Sequence, residues 1–314
     1  MALKPQELKE VLVGPHMTLI TPFKAGSLEL DEEGLAKNTR WLIDHGFTTG
    51  NGVLIAAGSN GECYTMSNAE RKRVAEIVVE EASGRVPVLV GTNHTATNLA
   101  LDLARHADQV GADGIMSTPP YYLEPKQSDM LRFYSALAES VKIGIMVYDI
   151  AEVAKSGVED ATLEELCAFD NVVALKAGQP SFEDFIRKTL KFRDRLACVS
   201  NTGFLVGAGY LAGTSGFISG VGNCYPEMEV SLHKACLAGK WDKVTQIQEK
   251  RKLFYLSAGK FKGEYGTYGG ITLLQTSAAL AGCAGGNPRP PAYPFSAEDK
   301  AVLRKALVEM GAIK

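Results

Sequence analysis

The chain has 314 residues, 46% hydrophobic and 22% charged, which is ordinary globular composition. It excludes a disordered chain, which would lack the apolar side chains to offset its conformational entropy. With 33 Lys and Arg against 36 Asp and Glu, the net charge of −3 supplies no basic field for a phosphate backbone, so no nucleic-acid partner is expected.

Residues 1–10 carry charge throughout and lack the apolar centre of a signal peptide. The first strand is predicted at 17–20. A helix over 31–45 places Leu35, Trp41 and Leu42 on one side. The second strand, 52–57, is followed by a helix over 67–83. That helix opens on Ser67 with Glu70 three residues on, the capping-box spacing, and repeats Val74, Ile77 and Val78 at helical spacing. Strand 87–91 then leads to helix 97–110, strand 114–117 to helix 127–141, and strand 144–148 to helix 162–169. Strand 172–176 leads to helix 181–192, strand 197–200 to helix 204–212, and strand 216–219 to helix 226–238. The strands are short and rich in Val, Ile and Leu. They lack polar alternation and therefore read as parallel strands buried on both faces.

Eight β-α units without a linker describe a (β/α)8 TIM barrel over residues 1–240. Residues 241–314 read as a C-terminal helical extension. Its helices fall at 241–257, 272–281 and 297–310, with a turn-rich connector at 285–291. An open doubly wound sheet is the alternative. The stretch 196–226 holds no charge but has seven glycines and several Asn, Ser and Thr, so it reads as buried interior and turns, not a membrane span. Six scattered cysteines, none in a C-x-x-C pair, read as reduced thiols of a cytoplasmic protein. Gly207-x-Gly209-x-x-Ala212 lies too late in the chain for a dinucleotide fingerprint. His94 falls near the barrel mouth. His16, His45, His106 and His233 have no metal-ligand spacing, so no metal is expected.

A barrel carries its active site at the C-terminal ends of the strands. The residues there are Gly58-Ser59-Asn60-Gly61-Glu62, Pro119-Pro120-Tyr121-Tyr122, Tyr148-Asp149, Lys176 and Asn201-Thr202-Gly203. Lys176 follows four apolar residues. Alternate strand side chains enter a barrel, and a desolvated lysine loses its proton more readily, so its amine can attack a carbonyl. The bland reading is a lysine that snorkels to the mouth or pairs with a carboxylate. Ser59 and Asn60, framed by glycines, offer donors suited to a small carboxylate, or form an ordinary turn. Tyr122 and Tyr148 are proton shuttles or rim packing.

Taken together these residues resemble the dihydrodipicolinate synthase/N-acetylneuraminate lyase family of class I, Schiff-base-forming pyruvate aldolases. The likeness spans nearly the whole chain. It rests on Thr21-Pro22-Phe23, Gly58-Ser59-Asn60-Gly61-Glu62 at the place of the G-x-x-G-E motif, Pro120-Tyr121-Tyr122, Tyr148, Lys176, and Gly216-Phe217-Ile218-Ser219-Gly220 with Asn223. The Ser-Asn pair, where the family most often has two threonines, is similar to the 4-hydroxy-2-oxoglutarate aldolase branch.

The resemblance implies that pyruvate, or the pyruvate half of a 2-oxo acid, condenses with Lys176. Its carboxylate would sit against Ser59 and Asn60, with Gly58, Ile218 and Asp149 completing the binding set. Tyr148 would move protons with Ser59 and Tyr122. No cofactor beyond the covalent imine is implied. Tyr122's counterpart is often lent across a subunit contact, which implies a homotetramer built from dimers. Two positions depart from the dihydrodipicolinate synthases. Asp149 stands where they have asparagine, and Val153 where an arginine binds the second substrate's carboxylate; nearby Lys155 is no equal substitute. Asp149 is expected to repel an anionic partner, to accept bonds from hydroxyls, or to lie outside the site. The expected activity is therefore a lyase or aldolase joining or splitting pyruvate and an aldehyde through an enamine on Lys176. The alternatives are a dehydratase acting through the same imine and a dihydrodipicolinate synthase proper.

Overall fold

The computed structural model describes residues 2–179, 181–201 and 203–314. The chain opens with a helix that local periodicity is too short to reveal, α1 (Pro5–Val11). A proline in its first turn and Glu7, whose carboxylate accepts from the Lys4 N–H at 3.0 Å, fix its start. Leu8 and Leu12 are fully buried against the inner cluster of the barrel and close its base. Gly114 and Gly144 make room for this plug, since a Cβ on either would stand 2.9 and 2.6 Å from Leu8 Cδ2.

Next come β1 (Gly14–Thr18), α2 (Glu32–Asp44), β2 (Val53–Ala56) and α3 (Asn68–Ala82). Strand β1 starts three residues before the predicted run. Its opening Gly-Pro-His hides the pattern, yet Gly14 already pairs with Gly216. Asp31 caps α2 by accepting from Gly34 N at 2.9 Å. Ser67 and Glu70 close the expected capping box, at 3.2 and 2.8 Å.

The alternation continues through β3 (Val88–Gly91), α4 (Thr97–Gln109), β4 (Gly114–Ser117), α5 (Gln127–Ser140), β5 (Gly144–Ile150), a one-turn α6 (Ala151–Ala154) and α7 (Asp160–Leu166). It ends with β6 (Val172–Gly178), α8 (Phe182–Phe192), β7 (Ala197–Ser200), α9 (Val206–Ala212), β8 (Gly216–Ser219) and α10 (Pro226–Leu237). All strand pairs are parallel and β8 returns to β1, so the sheet closes into an eight-stranded TIM barrel and the open-sheet alternative falls away. Strands β5 and β6 run past the rim, seven residues each, and pair Tyr148 directly with Lys176.

Three helices complete the fold: α11 (Trp241–Tyr265), α12 (Gly269–Leu280) and α13 (Ala297–Met310). Helix α11 runs eight residues beyond its predicted end. Gly259 and Gly263 face open space, so their lack of a side chain costs no packing and does not stop the helix. These helices share one hydrophobic cluster with β8, α9 and α10. Helix α12 reaches back to the barrel top, where Gln275 donates to Thr21 O at 2.7 Å and to Glu62 Oε1 at 2.9 Å. Among the described residues no helix is long and apolar enough to cross a membrane. All six cysteines are free.

Candidate active site

Lys176 projects from β6 into the top of the barrel and is 4% exposed. Its Nζ lies 3.5 Å from the centroid of the Tyr148 ring, its partner across the β5–β6 ladder. Among the described residues no carboxylate pairs with it, which removes both the salt-bridged and the snorkelling readings. Burial lowers its pKa from 10.5 to about 7, and the thiol of Cys63 nearby works weakly in the opposite direction. About half the amine is then free of its proton at neutral pH.

A cavity of about 750 Å³ opens over this amine. Ser59, Asn60, Tyr148 and Ile218 line it as expected, together with Thr18, Thr118 and Cys63. Ser59–Gly61 forms a single 3-10 turn after β2, whose first N–H groups, those of Ser59 and Asn60, have no partner within the turn. Gly58 lies behind the turn: a Cβ there would stand 2.6 Å from Thr18 Cγ2, so its smallness lets β1 and the turn approach. Glu62, the last residue of the motif, is fully buried in the left-handed region at φ 57°. It is held by Gln275 and by the Arg289 N–H at 3.0 Å, so it ties the extension to the barrel. Among the described residues Thr18 Oγ1 and Thr118 Oγ1 are buried without a hydrogen-bond partner, leaving capacity that a ligand in the cavity can use.

Tyr148 is 5% exposed, and burial pushes its phenol well above the usual tyrosine range. It therefore holds its proton at neutral pH, and its hydroxyl shares a hydrogen bond with the Asn201 side chain. Asn201 also lines the cavity, whereas its neighbour Thr202 lies outside the described residues.

Two expected residues fall elsewhere. Asp149 does not line the cavity. Side chains alternate along a strand, so with Tyr148 facing inward Asp149 faces the helix layer. There it is 1% exposed, with Oδ2 2.6 Å from Lys188 Nζ and Oδ1 accepting from Val158 N at 2.9 Å, while Gln179 also donates to it. Its carboxylate is part of a buried ion pair, not a substrate contact. Tyr122 is 77% exposed on the loop after β4, and its neighbour Tyr121 lines the cavity instead. A Ser59–Tyr148–Tyr122 relay is thus not assembled within one chain.

Val153, at the position of the arginine, does line the cavity. Lys155 does not: its ammonium donates to Tyr122 O at 2.7 Å. His94 accepts from the Ala96 N–H at 3.2 Å and stays outside the cavity. Phe254, Tyr255, Tyr268, Leu273 and Leu274 of the extension form an outer wall that no local motif announces. Cys63 also lines the cavity, with Asn93 Nδ2 donating to its Sγ at 3.4 Å.

Residues 12–310 match the Dihydrodipicolinate synthetase family. The chain is 31% identical to the 4-hydroxy-tetrahydrodipicolinate synthase of Methanopyrus kandleri, covering 93% of this chain and 94% of that protein. It is 32% identical to the enzyme of the same name from Rhodopseudomonas palustris, covering 95% and 96%. Among solved structures, dihydrodipicolinate synthase from Aquifex aeolicus superposes with a TM-score of 0.82 at 28% identity, covering 96% of this chain and 98% of that one. The prophage protein YagE of E. coli K12, solved in complex with pyruvate, superposes with a TM-score of 0.87 at 25% identity, covering 96% and 99%. The family match across both barrel and extension, with these relatives over the full length, makes the chain a member of the dihydrodipicolinate synthetase family of class I, pyruvate-dependent lyases and synthases.

Proposed function

We propose that the chain makes or cleaves a carbon–carbon bond between pyruvate and an aldehyde through an imine on Lys176. The observation that carries this reading is a buried amine with no carboxylate partner among the described residues, its pKa lowered by burial to about 7, packed on a protonated phenol in one cavity with the Ser59–Asn60 turn. The neutral amine attacks the C2 carbonyl of pyruvate and expels water. The pyruvate carboxylate accepts from Ser59 and Asn60. Loss of a C3 proton gives the enamine, whose carbon attacks the aldehyde. Tyr148 protonates the new alkoxide, and hydrolysis frees the amine. The imine is the electron sink, so the scheme calls for no dissociable cofactor. YagE's pyruvate complex supports pyruvate as the donor.

The relatives' names favour one member of this class, synthesis of 4-hydroxy-tetrahydrodipicolinate; the family resemblance gives that reaction a second substrate bearing a carboxylate. Val153 in the arginine's place weighs against it. The exposed Tyr122 and Leu123 fit the dimer-based tetramer that the family resemblance implies.

Product analysis separates the readings. The chain is incubated with pyruvate and aldehydes, and in reverse with hydroxylated 2-oxo acids, while condensation, pyruvate release and water loss are followed. Condensation or pyruvate release, abolished by Lys176→Ala, is the expected result. Water loss alone makes the chain a dehydratase, and 4-hydroxy-tetrahydrodipicolinate as the preferred product makes it the synthase.

A further inference from the structure

The cavity is divided by chemistry. Its inner end is supplied by strand ends and the loops after them and is polar, with Lys176, Ser59, Asn60, Thr18, Thr118 and Asn201. Its outer wall is supplied by α6, α11, α12 and the segment before α12, and is apolar and aromatic. The rings of Phe254 and Tyr255 lie 6.0 Å apart, and Tyr268 faces Tyr64 across 6.1 Å. Pyruvate alone fills a small part of about 750 Å³. The outer wall is what its carbonyl partner meets.

Among the described residues that line the outer wall, none is a cation that could hold a carboxylate on that partner. Among the described lining residues Lys176 is the one that can carry a positive charge, and in the enamine that meets the partner its nitrogen is neutral. The basic residues around the site lie outside this lining; three are ion-paired, while Arg71 and Lys155 hold backbone carbonyls and Arg71 Nε has no partner among the described residues. Arg71 donates to the carbonyls of Asn93 and Gly91 at 3.0 and 2.8 Å, and Lys155 to that of Tyr122. Lys188 is paired with Asp149, Arg251 with Glu229 and Arg289 with Glu70. Beside Val153 on α6, Glu152 sets a negative charge close enough to act on Tyr148. A carboxylate placed against this wall would lose its water without gaining a partner.

We infer that the carbonyl partner is an uncharged aldehyde whose aryl or alkyl group seats on Val153, Phe254, Tyr255, Tyr268, Leu273 and Leu274. The inference rests on the imine reading above and deepens it by naming the substrate class. The enamine carbon of pyruvate bonds to the aldehyde carbon, and the carbonyl electron pair moves to oxygen, which takes the Tyr148 proton. Tyr148 first gives its proton to the hydroxide that leaves in imine formation and is restored by the C3 proton. After it protonates the alkoxide, hydrolysis of the imine by water returns a proton to it, frees the lysine amine and releases a 4-hydroxy-2-oxo acid carrying the apolar group. Cleavage runs the same steps backwards.

The test uses the full chain with pyruvate and four aldehydes: benzaldehyde and hexanal, against glyoxylate and succinic semialdehyde. Product formation gives kcat/KM for each, and borohydride trapping of pyruvate on Lys176 is measured alongside. The expected result is a trapped adduct and a preference of about tenfold or more for benzaldehyde or hexanal. Val153→Arg, at a half-exposed position, is expected to move that ratio by about tenfold towards succinic semialdehyde through its KM. Tyr268→Ala is expected to lower kcat/KM for benzaldehyde by a larger factor than for the carboxylated aldehydes. A trapped adduct with a wild-type preference for the carboxylated aldehydes overturns the inference and leaves the imine standing. So do ratios that neither variant moves. Absence of any adduct overturns the imine and the inference together.

Discussion

Replacing Lys176 by methionine keeps a flexible apolar side chain on Tyr148 and removes the amine. Burial lowers the Lys176 pKa from 10.5 to about 7. At about 1.4 kcal/mol for each unit that a pKa moves, holding the charged form in this site costs ~5 kcal/mol, an upper bound because the Tyr148 ring face returns part of it. Between pH 7 and 10.5 the unfolded chain holds the proton and the folded chain does not, so wild-type stability rises with pH across that window. Below pH 7 both states bind it and the full penalty stands. Lys176→Met removes this dependence. The variant is expected to exceed wild type by roughly 2–5 kcal/mol at pH 6, with the advantage shrinking towards pH 10. Urea midpoints of both proteins across that pH range, read by circular dichroism, check it. A variant less stable than wild type by a constant amount at every pH would refute the reasoning, because the amine would then be charged and satisfied in the fold.

Tyr148→Phe is expected to lower kcat by about 10²–10⁴ while pyruvate capture on Lys176 persists; an unchanged kcat removes the phenol from the chemistry. Ser59→Ala is expected to raise the KM for pyruvate by roughly tenfold through loss of a hydrogen bond to a charged group, measured under saturating aldehyde. Asp149→Ala strands the buried Lys188 charge and is expected to cost about 3–5 kcal/mol in urea unfolding, most of it recovered when Lys188→Met is added. Leu8→Ala opens a cavity at the barrel base and is expected to cost about 2–5 kcal/mol, with melting unchanged counting against the plug.

The barrel was legible because its eight strands are buried on both faces and appear as short apolar runs, and because signals such as the Ser67–Glu70 box are local. The plug was not: α1 spans seven residues and its contacts with Gly114 and Gly144 are over a hundred positions away. At the site, Lys176 and Tyr148 could be read from strand ends and motif spacing. For Asp149 the sequence left a substrate contact and a place outside the site both open, although strand alternation, applied to its inward neighbour Tyr148, already turns it outward. No such rule separates Tyr121 from Tyr122, which lie in an irregular loop between β4 and α5. The outer wall was illegible for another reason. Leu273 and Leu274 reach the cavity because Gln275 docks α12 on Thr21 and Glu62, contacts more than two hundred residues apart that no local pattern encodes.

The central claim is that Lys176 is the nucleophile that captures pyruvate. Incubating the protein with pyruvate and borohydride, then mapping the modified peptide by mass spectrometry, tests it most directly. The account predicts a reduced pyruvate adduct on Lys176 alone, forming faster as pH rises through about 7. An unmodified Lys176 peptide, or an adduct on another lysine, would contradict it.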